Sequence, residues 1–368
     1  MPLFMDFHKF EKITTEDVKK AHMADMAVQD EYNVRYTQFW VNENEGTVFC
    51  LVEGPDKETC EKVHQIAHGN IACALTEVES GFYEKLMGNV HKLDHGHVHH
   101  ADGSIDLGYR NILVAIVYGI NKATNPKEFS QLLSPHWAKK LITKKIAAFK
   151  GRELKWDTDE SLIGVFDDST LSVQCALEIQ QELIKNEKKE TPEIIFKIGV
   201  SAAQPVTKDG IFFTEAIRLA HRLSISAPDN QVLVSSLVKK LCRNEKLISA
   251  RPFARSLDWT EEEFLSKLLS ISEAKLSEHD FEINDLSNEI CVSRPQLYRK
   301  IKAITGRSPN DFIHDLRMNK ALELLKQKKT SISEIAFETG FNSPSYFTKC
   351  FTEKFGCTPS VFAKNIVA

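Results

Sequence analysis

The amino-acid sequence predicts a multidomain α+β protein in which two α/β units precede an all-helical unit. Residues 1–80 alternate apolar strand patterns with amphipathic helix patterns in the order β-α-β-β-α-β, and residues 109–242 contain a second series of strands and helices. The last hundred residues contain one helical motif written twice. A length of 368 residues fits two or three domains, so we expect these segments to be separate units.

Composition and charge are those of an ordinary folded protein, with 42% hydrophobic and 27% charged residues. The net charge of −4 gives the whole chain no general attraction to nucleic acid. The sequence has no signal-like N-terminal segment, no apolar run of the roughly twenty residues that span a bilayer, and no CxxC pair among its eight cysteines. We therefore expect a cytoplasmic protein without membrane segments, disulfide framework or thiolate zinc site.

Residues 1–80 begin with a strand whose two faces differ. Leu3, Met5 and Phe7 alternate with Asp6 and His8, which gives this strand one apolar and one polar face. The remaining elements are expected as a helix from Thr14 or Thr15 to about residue 29, strands over 32–41 and 47–53, a helix over 55–69 and a strand over 74–79. This order predicts an antiparallel sheet with two helices on one face.

Histidines are concentrated in this first unit and just after it, since nine of the thirteen precede residue 110. His22 and Asp25 fall on one face of the first predicted helix, and His64 and His68 are four residues apart on the second. Imidazole and carboxylate groups together suit nickel, zinc or copper rather than calcium. The candidate metal ligands are His8, His22, Asp25, His64 and His68. The alternative, that these are ordinary surface or core histidines, stays open.

The same residues lie within motifs that resemble a family of small nickel-binding ferredoxin-like proteins. The resemblance covers nearly all of residues 4–80, and its motifs include Ala-His-x-x-Asp at 21–25, Phe-Cys-Leu-Val-Glu-Gly-Pro-Asp at 49–56 and Val-His-x-x-x-His-Gly at 63–69. It implies a ferredoxin-like α/β sandwich that binds nickel or another divalent transition metal and is paired across its sheet or its helices. It does not identify the ligands.

Residues 81–108 are expected to be a His-rich linker between the two α/β units. The stretch from His91 to Ser104 is too polar and too rich in glycine for a core element. Its histidine spacing suits loose chelation of a soft divalent cation, although flexible histidine tracts also bind metal without a biological role. Both interpretations stay open.

Residues 109–245 are expected to form the second α/β unit. Strands are predicted over 111–118, 194–203 and 231–235, a hairpin over 152–166, and helices over 131–150, 170–185 and 215–224. This ordering, together with the motifs at 151–155, 162–166, 198–200 and 231–235, resembles the class III nucleotide cyclase domain. The resemblance implies a cyclase-like α/β domain.

The resemblance to the cyclases also indicates that catalytic groups are missing. Those enzymes use two aspartates to hold two Mg²⁺ ions, which neutralise charge on the transferring phosphates. Asp159 matches one aspartate, but the first strand is apolar where the other belongs, and Arg218 stands where the family has an asparagine. We therefore expect a non-catalytic domain, no catalytic residues and no enzyme activity.

Residues 260–368 contain the duplicated motif, in which Ile283 corresponds to Ile332 and Pro295 to Pro344. Each copy has a short amphipathic helix, a tight turn and a second helix with a proline in its first turn. The expected caps of the second helices are Ser293 in one copy and Asn342 or Ser343 in the other. This is the pattern of a helix-turn-helix, so the unit is expected to be an all-α double helix-turn-helix domain.

The polar side chains on the two second helices are the candidate DNA contacts, because Arg, Lys, Gln and Ser suit phosphate positioning and base-edge readout. They are Arg294, Gln296, Arg299, Lys300 and Lys302 in the first copy, and Ser343, Ser345, Tyr346 and Lys349 in the second. A helix over 311–327 connects the copies and is expected to hold them about one DNA turn, roughly 34 Å, apart. Residues 265–364 resemble the DNA-binding domain of AraC-type transcriptional regulators.

These features predict a sequence-specific transcription regulator that binds a double-stranded DNA operator, responds to a divalent metal such as nickel, and forms a homodimer. One alternative is a metal-regulated nucleotide cyclase fused to a DNA-binding domain, against which the apolar first strand argues. A second alternative is a metal-buffering protein, which operator binding distinguishes from a regulator.

Overall fold

The computed structural model describes residues 1–88, 92–120, 136–154, 161–187, 193–206, 212–244, 246–327 and 330–365. The N-terminal part of these residues forms two six-stranded sheets with flanking helices, and the C-terminal part is helical. None of the helices in these ranges is long and apolar enough to cross a membrane.

The first sheet follows the predicted order of strands and helices. Its elements are β1 (Leu3–Lys9), α1 (Thr15–Val28), β2 (Arg35–Asn42), β3 (Thr47–Glu53), α2 (Lys57–Ala67) and β4 (Ala74–Glu77). Antiparallel pairing gives the strand order β4-β1-β3-β2. Thr14 caps α1 through a capping box with Asp17, and Val18 of α1 and Val63 of α2 share one core beneath the sheet.

Residues 81–108 contain more regular structure than their composition predicts. The described residues include α3 (Ser80–Met87) and a hairpin of β5 (Lys92–Asp94) and β6 (His97–His99), which pairs in parallel with β2 and extends the sheet. Leu86 and His97 are at most 1% exposed. The prediction that this stretch lacks core elements was wrong, because His97 stacks on Phe39 and is buried by it. His91 lies outside the described residues.

The second sheet has the same central strand arrangement as the first. Its elements are β7 (Arg110–Ile120), α4 (His136–Ala148), β8 (Arg152–Leu154), β9 (Ser161–Phe166), α5 (Ser169–Glu187), β10 (Glu193–Ala203), α6 (Thr214–Ser226), β11 (Gln231–Val234), α7 (Ser236–Leu241), α8 (Lys246–Ser249) and β12 (Ala254–Ser256). The strand order is β12-β11-β10-β7-β9-β8, so β10-β7-β9-β8 corresponds to β4-β1-β3-β2. Asp159 lies outside the described residues.

The two sheets share one hydrophobic core. The side of the first sheet that α1 and α2 do not cover, here called the open face, packs on the second unit. The inter-sheet core contains Met5, Phe7, Trp40, Phe49 and Leu51 from the first sheet, Ile112, Val114, Ile163 and Val165 from the second, and Ala216, Ile217 and Ala220 from α6. Burial of this apolar surface stabilises the contact by about 25 cal/mol per Å². The first unit is therefore paired across its sheet, with the second unit of its own chain.

A buried ion cluster lies where the chain passes from the first unit to the second. Arg110, at the start of β7, is 2% exposed, with Nη2 2.8 Å from Asp106 Oδ2 and Nε 3.1 Å from Asp167 Oδ1. Asp106 also accepts a hydrogen bond from Trp40 Nε1 at 3.1 Å, and Arg110 donates to the carbonyl of Met87. The cluster thus fastens β2 and α3 to the first strand of the second unit.

The C-terminal helices form two consecutive helix-turn-helix modules. They are α9 (Trp259–Lys275), α10 (Ile283–Ile290), α11 (Arg294–Thr305), α12 (Pro309–Gln327), α13 (Ile332–Glu338), α14 (Pro344–Phe355) and α15 (Pro359–Asn365). Ser293 and Ser343 cap α11 and α14, and each helix has proline in its first turn, as the sequence predicts. Gly340 adopts a φ of 78° in the turn before α14.

The first helix-turn-helix module packs directly on the second α/β unit. Leu223 of α6 belongs to the same cluster as Leu265 of α9 and Ile304 of α11. Arg307, after α11, donates hydrogen bonds to the carbonyl oxygens of Ile225 at 3.3 Å and Ala227 at 2.6 Å. The second module has its own core around α14. Helix α6 therefore contributes to both the inter-sheet core and the core of the first module.

Replacing Arg110 by alanine tests the buried ion cluster. We expect Arg110→Ala to lower the free energy of unfolding by about 3–5 kcal/mol, because Asp106 loses its counter-charge in a buried position, while Asp167 keeps its ion pair with Arg152. The control is Arg218→Ala, which removes an exposed ion pair with Glu215 and should change stability by less than about 1 kcal/mol. Urea unfolding measures the free energy of unfolding of both variants. An equal loss of stability in the two variants would contradict a stabilising role of the buried ion cluster.

Candidate metal centre and nucleic-acid interface

Five side chains of the types that can bind a metal ion meet between the first sheet and its two helices. Asp6 and His8 point toward the helices because side chains alternate along β1. His64 Nε2 lies 2.7 Å from Asp6 Oδ2, and His8 Nε2 lies 3.4 Å from the same oxygen. His64 Nδ1 lies 3.1 Å from Asp25 Oδ1, which is 3.2 Å from His68 Nε2. We call this set the Asp6–His64 cluster.

His64 is common to two groups of three donor atoms, each compact enough for one cation. One group is Asp6, His8 and His64, and the other is Asp25, His64 and His68. Four of these side chains belong to residues that are at most 5% exposed, while the side chain of His68 is 13% exposed at the edge. A cavity of about 100 Å³ adjoins the cluster.

Burial and pairing with carboxylates set the protonation of the metal-free cluster. Burial alone would lower the pKa of His64, but hydrogen bonds to Asp25 and Asp6, with their charges, raise it to about 10. Burial would likewise raise the pKa of Asp6, yet the neighbouring His8 and His64 hold it well below its usual range. The pKa of Asp25 is lowered in the same way by His64 and His68. A cation that takes His64 as a ligand therefore displaces a proton.

The Asp6–His64 cluster fits a divalent transition metal. Imidazole nitrogen and carboxylate oxygen are the donors that nickel, zinc and copper accept. The paired donor atoms are 2.7–3.4 Å apart, about the separation expected between neighbouring ligands of one ion with bonds of about 2.0–2.1 Å. The carboxylates, being ionised at neutral pH, supply negative charge that a cation neutralises.

The structure brings together four of the five ligands predicted from sequence, His8, Asp25, His64 and His68. His22 lines the adjoining cavity but belongs to neither group of three, and its Nδ1 has no partner among the described residues. Asp6, which sequence reasoning missed, is fully buried at the centre of the contacts. The signal was present, since Asp6 shares with His8 the polar face of an otherwise apolar strand.

Helices α11 and α14 each bury one side and expose the side predicted to contact DNA. Leu297 and Ile301 of α11, and Phe347 and Phe351 of α14, are fully buried. The exposed candidates are Arg294, Gln296, Arg299, Lys300, Lys302, Ser345, Tyr346 and Lys349, whereas Ser343 is half-buried as the cap of α14. Both helices therefore offer a polar surface to an external partner.

Four lysines of this region have contacts within the protein, among them Lys349, whose Nζ lies 3.9 Å from Glu353 Oε1. Lys300 Nζ lies 5.0 Å from the centre of the Phe264 ring, and Lys302 Nζ donates to the carbonyl of Gly306 at 2.7 Å. Lys354 of α14 forms an ion pair with Asp315 at 2.6 Å and lies away from the exposed side. Arg299 Nε likewise donates to the carbonyl of Pro295 at 3.4 Å, so contacts within the protein do not rank the arginines of α11 above its lysines.

The first strand of the second unit, for which the sequence predicted no metal-binding carboxylate, is apolar and buried. Leu113, Val114, Ala115 and Val117 of β7 are at most 2% exposed. Arg222 forms an ion pair with Glu273 of α9 at 2.8 Å. Across the described ranges, the donor groups compact enough for a cation are both in the first unit.

Two family profiles match parts of the chain. Residues 4–78 match the profile described as nickel responsive protein SCO4226-like, and residues 286–365 match that of a helix-turn-helix domain. The two matches coincide with the parts that hold the Asp6–His64 cluster and helices α11 and α14.

Similar curated proteins include histidine kinase P4 of Formosa agariphila, 35% identical over 146 residues, and the HTH-type transcriptional regulator GbdR of Pseudomonas aeruginosa, 32% identical over 139 residues. Each match covers 38% of this chain, but only 11% of the kinase and 36% of GbdR. The chain thus shares only a segment with each of these relatives.

Solved structures with similarity include SCO4226 from Streptomyces coelicolor A3(2), 40% identical over 21% of this chain and 94% of that chain, with a TM-score of 0.20. An adenylate/guanylate cyclase/hydrolase from Silicibacter pomeroyi is 27% identical over 36% of this chain and 78% of that chain, with a TM-score of 0.30.

The pairing of His64 makes the stability of the metal-free protein pH-dependent. Because its pKa rises from 6.5 to about 10 on folding, its contribution is complete below pH 6.5 and is lost as the pH rises to about 10. We expect the free energy of unfolding to fall over this interval in the wild type and to fall less in His64→Gln. Denaturant unfolding of both proteins at about pH 7 and about pH 9.5 measures how much stability each loses. The contributions of the other titrating groups are largely the same in the two proteins and cancel in the comparison. Equal pH dependence in both proteins would contradict the assignment.

Proposed function

We propose that this protein is a sequence-specific transcription regulator whose binding to a DNA operator responds to a divalent transition metal, with nickel the foremost candidate. The observation that carries the proposal is the occurrence, on one chain, of the Asp6–His64 cluster and two helix-turn-helix modules joined through shared cores. Metal sensing of this kind requires that the metal-bound and metal-free proteins differ in affinity for the operator.

The DNA-binding part of the proposal rests on the exposed sides of α11 and α14. In α11, the two arginines suit phosphate or guanine, and Gln296 suits adenine. In α14, Ser345, Tyr346 and Lys349 present hydrogen-bond donors, and Ser343 caps a helix N-terminus, which favours phosphate. Lys300 and Lys302 suit the DNA backbone once they leave their present contacts. The helix-turn-helix match over 286–365 supports this assignment.

The metal-binding part of the proposal rests on the Asp6–His64 cluster, in which His8, Asp25 and His68 complete the donor set. The match of residues 4–78 to a nickel-responsive family supports nickel over zinc or copper. Metal binding supplies a fixed positive charge between β1 and α2, where the metal-free protein has a shared proton on His64.

We propose that the second unit is a non-catalytic scaffold between the metal site and the DNA-binding domain. We infer that both α/β units are ferredoxin-like, because each has a β-α-β-β-α-β order with equivalent central strand arrangement. The cyclase-like assignment for 109–245 rests on its motifs, and the apolar β7 argues for loss of catalysis. We assign the metal-binding unit to residues 1–80 and the DNA-binding unit to 260–368, with action in the cytoplasm. No observation on the described residues favours a metal-regulated cyclase.

DNA binding can be tested with a duplex that the wild-type protein selects from random-sequence DNA. We expect Arg299→Ala to weaken binding by about 1–3 kcal/mol and to relax the selected sequence if Arg299 reads a base edge. Lys349→Ala should weaken binding to all duplexes alike and reduce the salt dependence if Lys349 contacts phosphate. Lys185→Ala, exposed on α5, is the control. Unchanged affinity of both test variants at two salt concentrations would remove α11 and α14 from the interface.

Metal sensing can be tested through the reciprocity of the two binding equilibria. A coupling of about 1–3 kcal/mol, or about 5- to 150-fold in operator affinity, is the usual scale, and operator DNA should change nickel affinity by the same factor. Calorimetric titration of nickel with and without the selected duplex measures both, and His64→Ala/His68→Ala should bind less nickel. Identical nickel affinity in the two conditions would indicate metal storage without sensing. Full nickel binding by the double variant would refute the ligand assignment.

A further inference from the structure

A cavity of about 330 Å³ lies where the second unit meets the C-terminal helices. It is much larger than the water-sized voids that ordinary packing leaves, and its volume falls in the range of about 300–1,000 Å³ that is typical of small-molecule sites. Strands β7 and β10, helix α6, the end of α9 and helix α12 all contribute to its walls. Among the described residues it shares no lining residue with the Asp6–His64 cluster, so metal binding leaves this cavity without a role.

The cavity lies on the same face of the second sheet as the inter-sheet core. Residues two apart on a strand project to one side, so Ile116 and Tyr118 of β7 continue the row of Ile112 and Val114, which pack on the first sheet. Lys197 of β10 is the cross-strand partner of Ile116 and lines the cavity beside it. The fold thus places a lysine on an otherwise apolar sheet face that α12 and the end of α9 cover.

Lys197 has less negative charge around it than a buried ammonium group requires. Its side chain is 8% exposed, and its Nζ lies 3.2 Å from Asp229 Oδ1, on a side chain that is 55% exposed. Asp229 Oδ1 also lies 3.9 Å from Arg307 Nη2, and Arg307 shares Asp315 with Lys354. Three cations of this network therefore face two carboxylates, which leaves one positive charge in excess. Burial, together with the nearby Arg307, lowers the pKa of Lys197 to about 8.

The other charged groups on the cavity wall are paired with partners of their own. Lys320 Nζ lies 3.6 Å from Glu323 Oε2, and Glu273 Oε2 lies 2.8 Å from Arg222 Nη2. Burial lowers the pKa of His221, so its imidazole is neutral at pH 7 and offers one N–H donor to the cavity. Among the described lining residues, the unbalanced charge is therefore the single positive charge of the lysine on β10.

We propose that this cavity binds a small organic monocarboxylate, whose carboxylate pairs with Lys197 and accepts a hydrogen bond from His221. One excess positive charge suits a monoanion, whereas a phosphate monoester carries about −1.5 to −2 and would keep part of its charge unbalanced. The ligand has an apolar body, because the remaining walls are largely hydrocarbon. The side chains that would contact this body are those of Ile116, Ile225, Leu276, Leu316 and Leu322.

A ligand in this cavity would contact the helix that joins the two helix-turn-helix modules. Leu316 of α12 belongs to the core of the first module, and Leu322 of the same helix belongs to the core of the second. His221 and Ile225 lie on α6, which packs against the first module. The carboxylate is therefore a second effector of DNA binding beside the metal, a step that rests on the proposed function.

Calorimetric titration of the metal-free full-length protein with phenylacetate and with phenylacetamide tests the site. The two compounds are similar in shape and differ in charge, so we expect phenylacetate to bind about tenfold more tightly or better. Lys197→Met should remove this difference, and Asn319→Phe, which narrows the cavity from α12, should weaken both compounds. The matched control is Lys185→Met, exposed on α5, which should change neither affinity. Thermal unfolding of each variant checks that the fold is retained.

Absent binding of phenylacetate, equal affinity for the two compounds, or a preference that survives Lys197→Met would overturn the proposal. Tighter binding of phenyl phosphate than of phenylacetate would overturn the choice of a monocarboxylate. Should Lys197→Met unfold, the comparison of the two compounds in the wild type and in Asn319→Phe decides.

The effector role is tested separately, with the duplex that the wild-type protein selects. Saturating phenylacetate should change the affinity for this duplex by about fivefold or more in the wild type, and should have no effect in Asn319→Phe. Unchanged affinity in the wild type would refute the effector role. A wild-type protein that binds no duplex would refute the proposed regulation and leave the carboxylate site standing.

Discussion

The alternation of side chains along β1 links the Asp6–His64 cluster to the rest of the molecule. Asp6 and His8 project toward the helices, where Asp6 pairs with His64, whereas Met5 and Phe7 project into the inter-sheet core. Because one backbone carries both sets, displacement of the strand on one side is transmitted to the other. The cluster and the contact between the two sheets are therefore opposite sides of the same seven-residue strand.

Helix α6 continues this packed connection toward the DNA-binding part. Its first half, through Ile217 and Ala220, belongs to the inter-sheet core, and Leu223 belongs to the core of the first helix-turn-helix module. The carbonyl oxygens of Ile225 and Ala227 at its end accept hydrogen bonds from Arg307. Interiors packed at crystal-like density transmit strain, so this chain of contacts is a physical route from the cluster to α11. The effect of operator DNA on nickel affinity measures whether this route couples the two sites.

Sequence patterns predicted local elements well because periodicity and caps are local. The alternation of β1, the cap at Thr14 and the caps of α11 and α14 were all visible in the sequence. Asp6 was missed because the search for ligands started from the histidines. Strand β6 was missed because a sequence rich in glycine and histidine is typical of a linker, and the packing of His97 on Phe39 is visible only in the structure. The inter-sheet contact was beyond prediction, since an apolar strand face looks the same whether it meets helices, another sheet or a second chain. Asp159 remains an expectation, as it lies outside the described residues.

The pairing of the two sheets bears on how a homodimer would be built. The open face of the first sheet, one of the two pairing surfaces that the family resemblance left open, is already occupied by Ile112, Val114 and their neighbours. A second copy would therefore have to dock on strand edges or helices. One chain also carries two helices with exposed polar sides, α11 and α14, an arrangement that many regulators obtain only by dimerising. Dimerisation is thus not needed to present two such helices, and under the proposed function its contribution to operator binding would be avidity between two chains on adjacent sites.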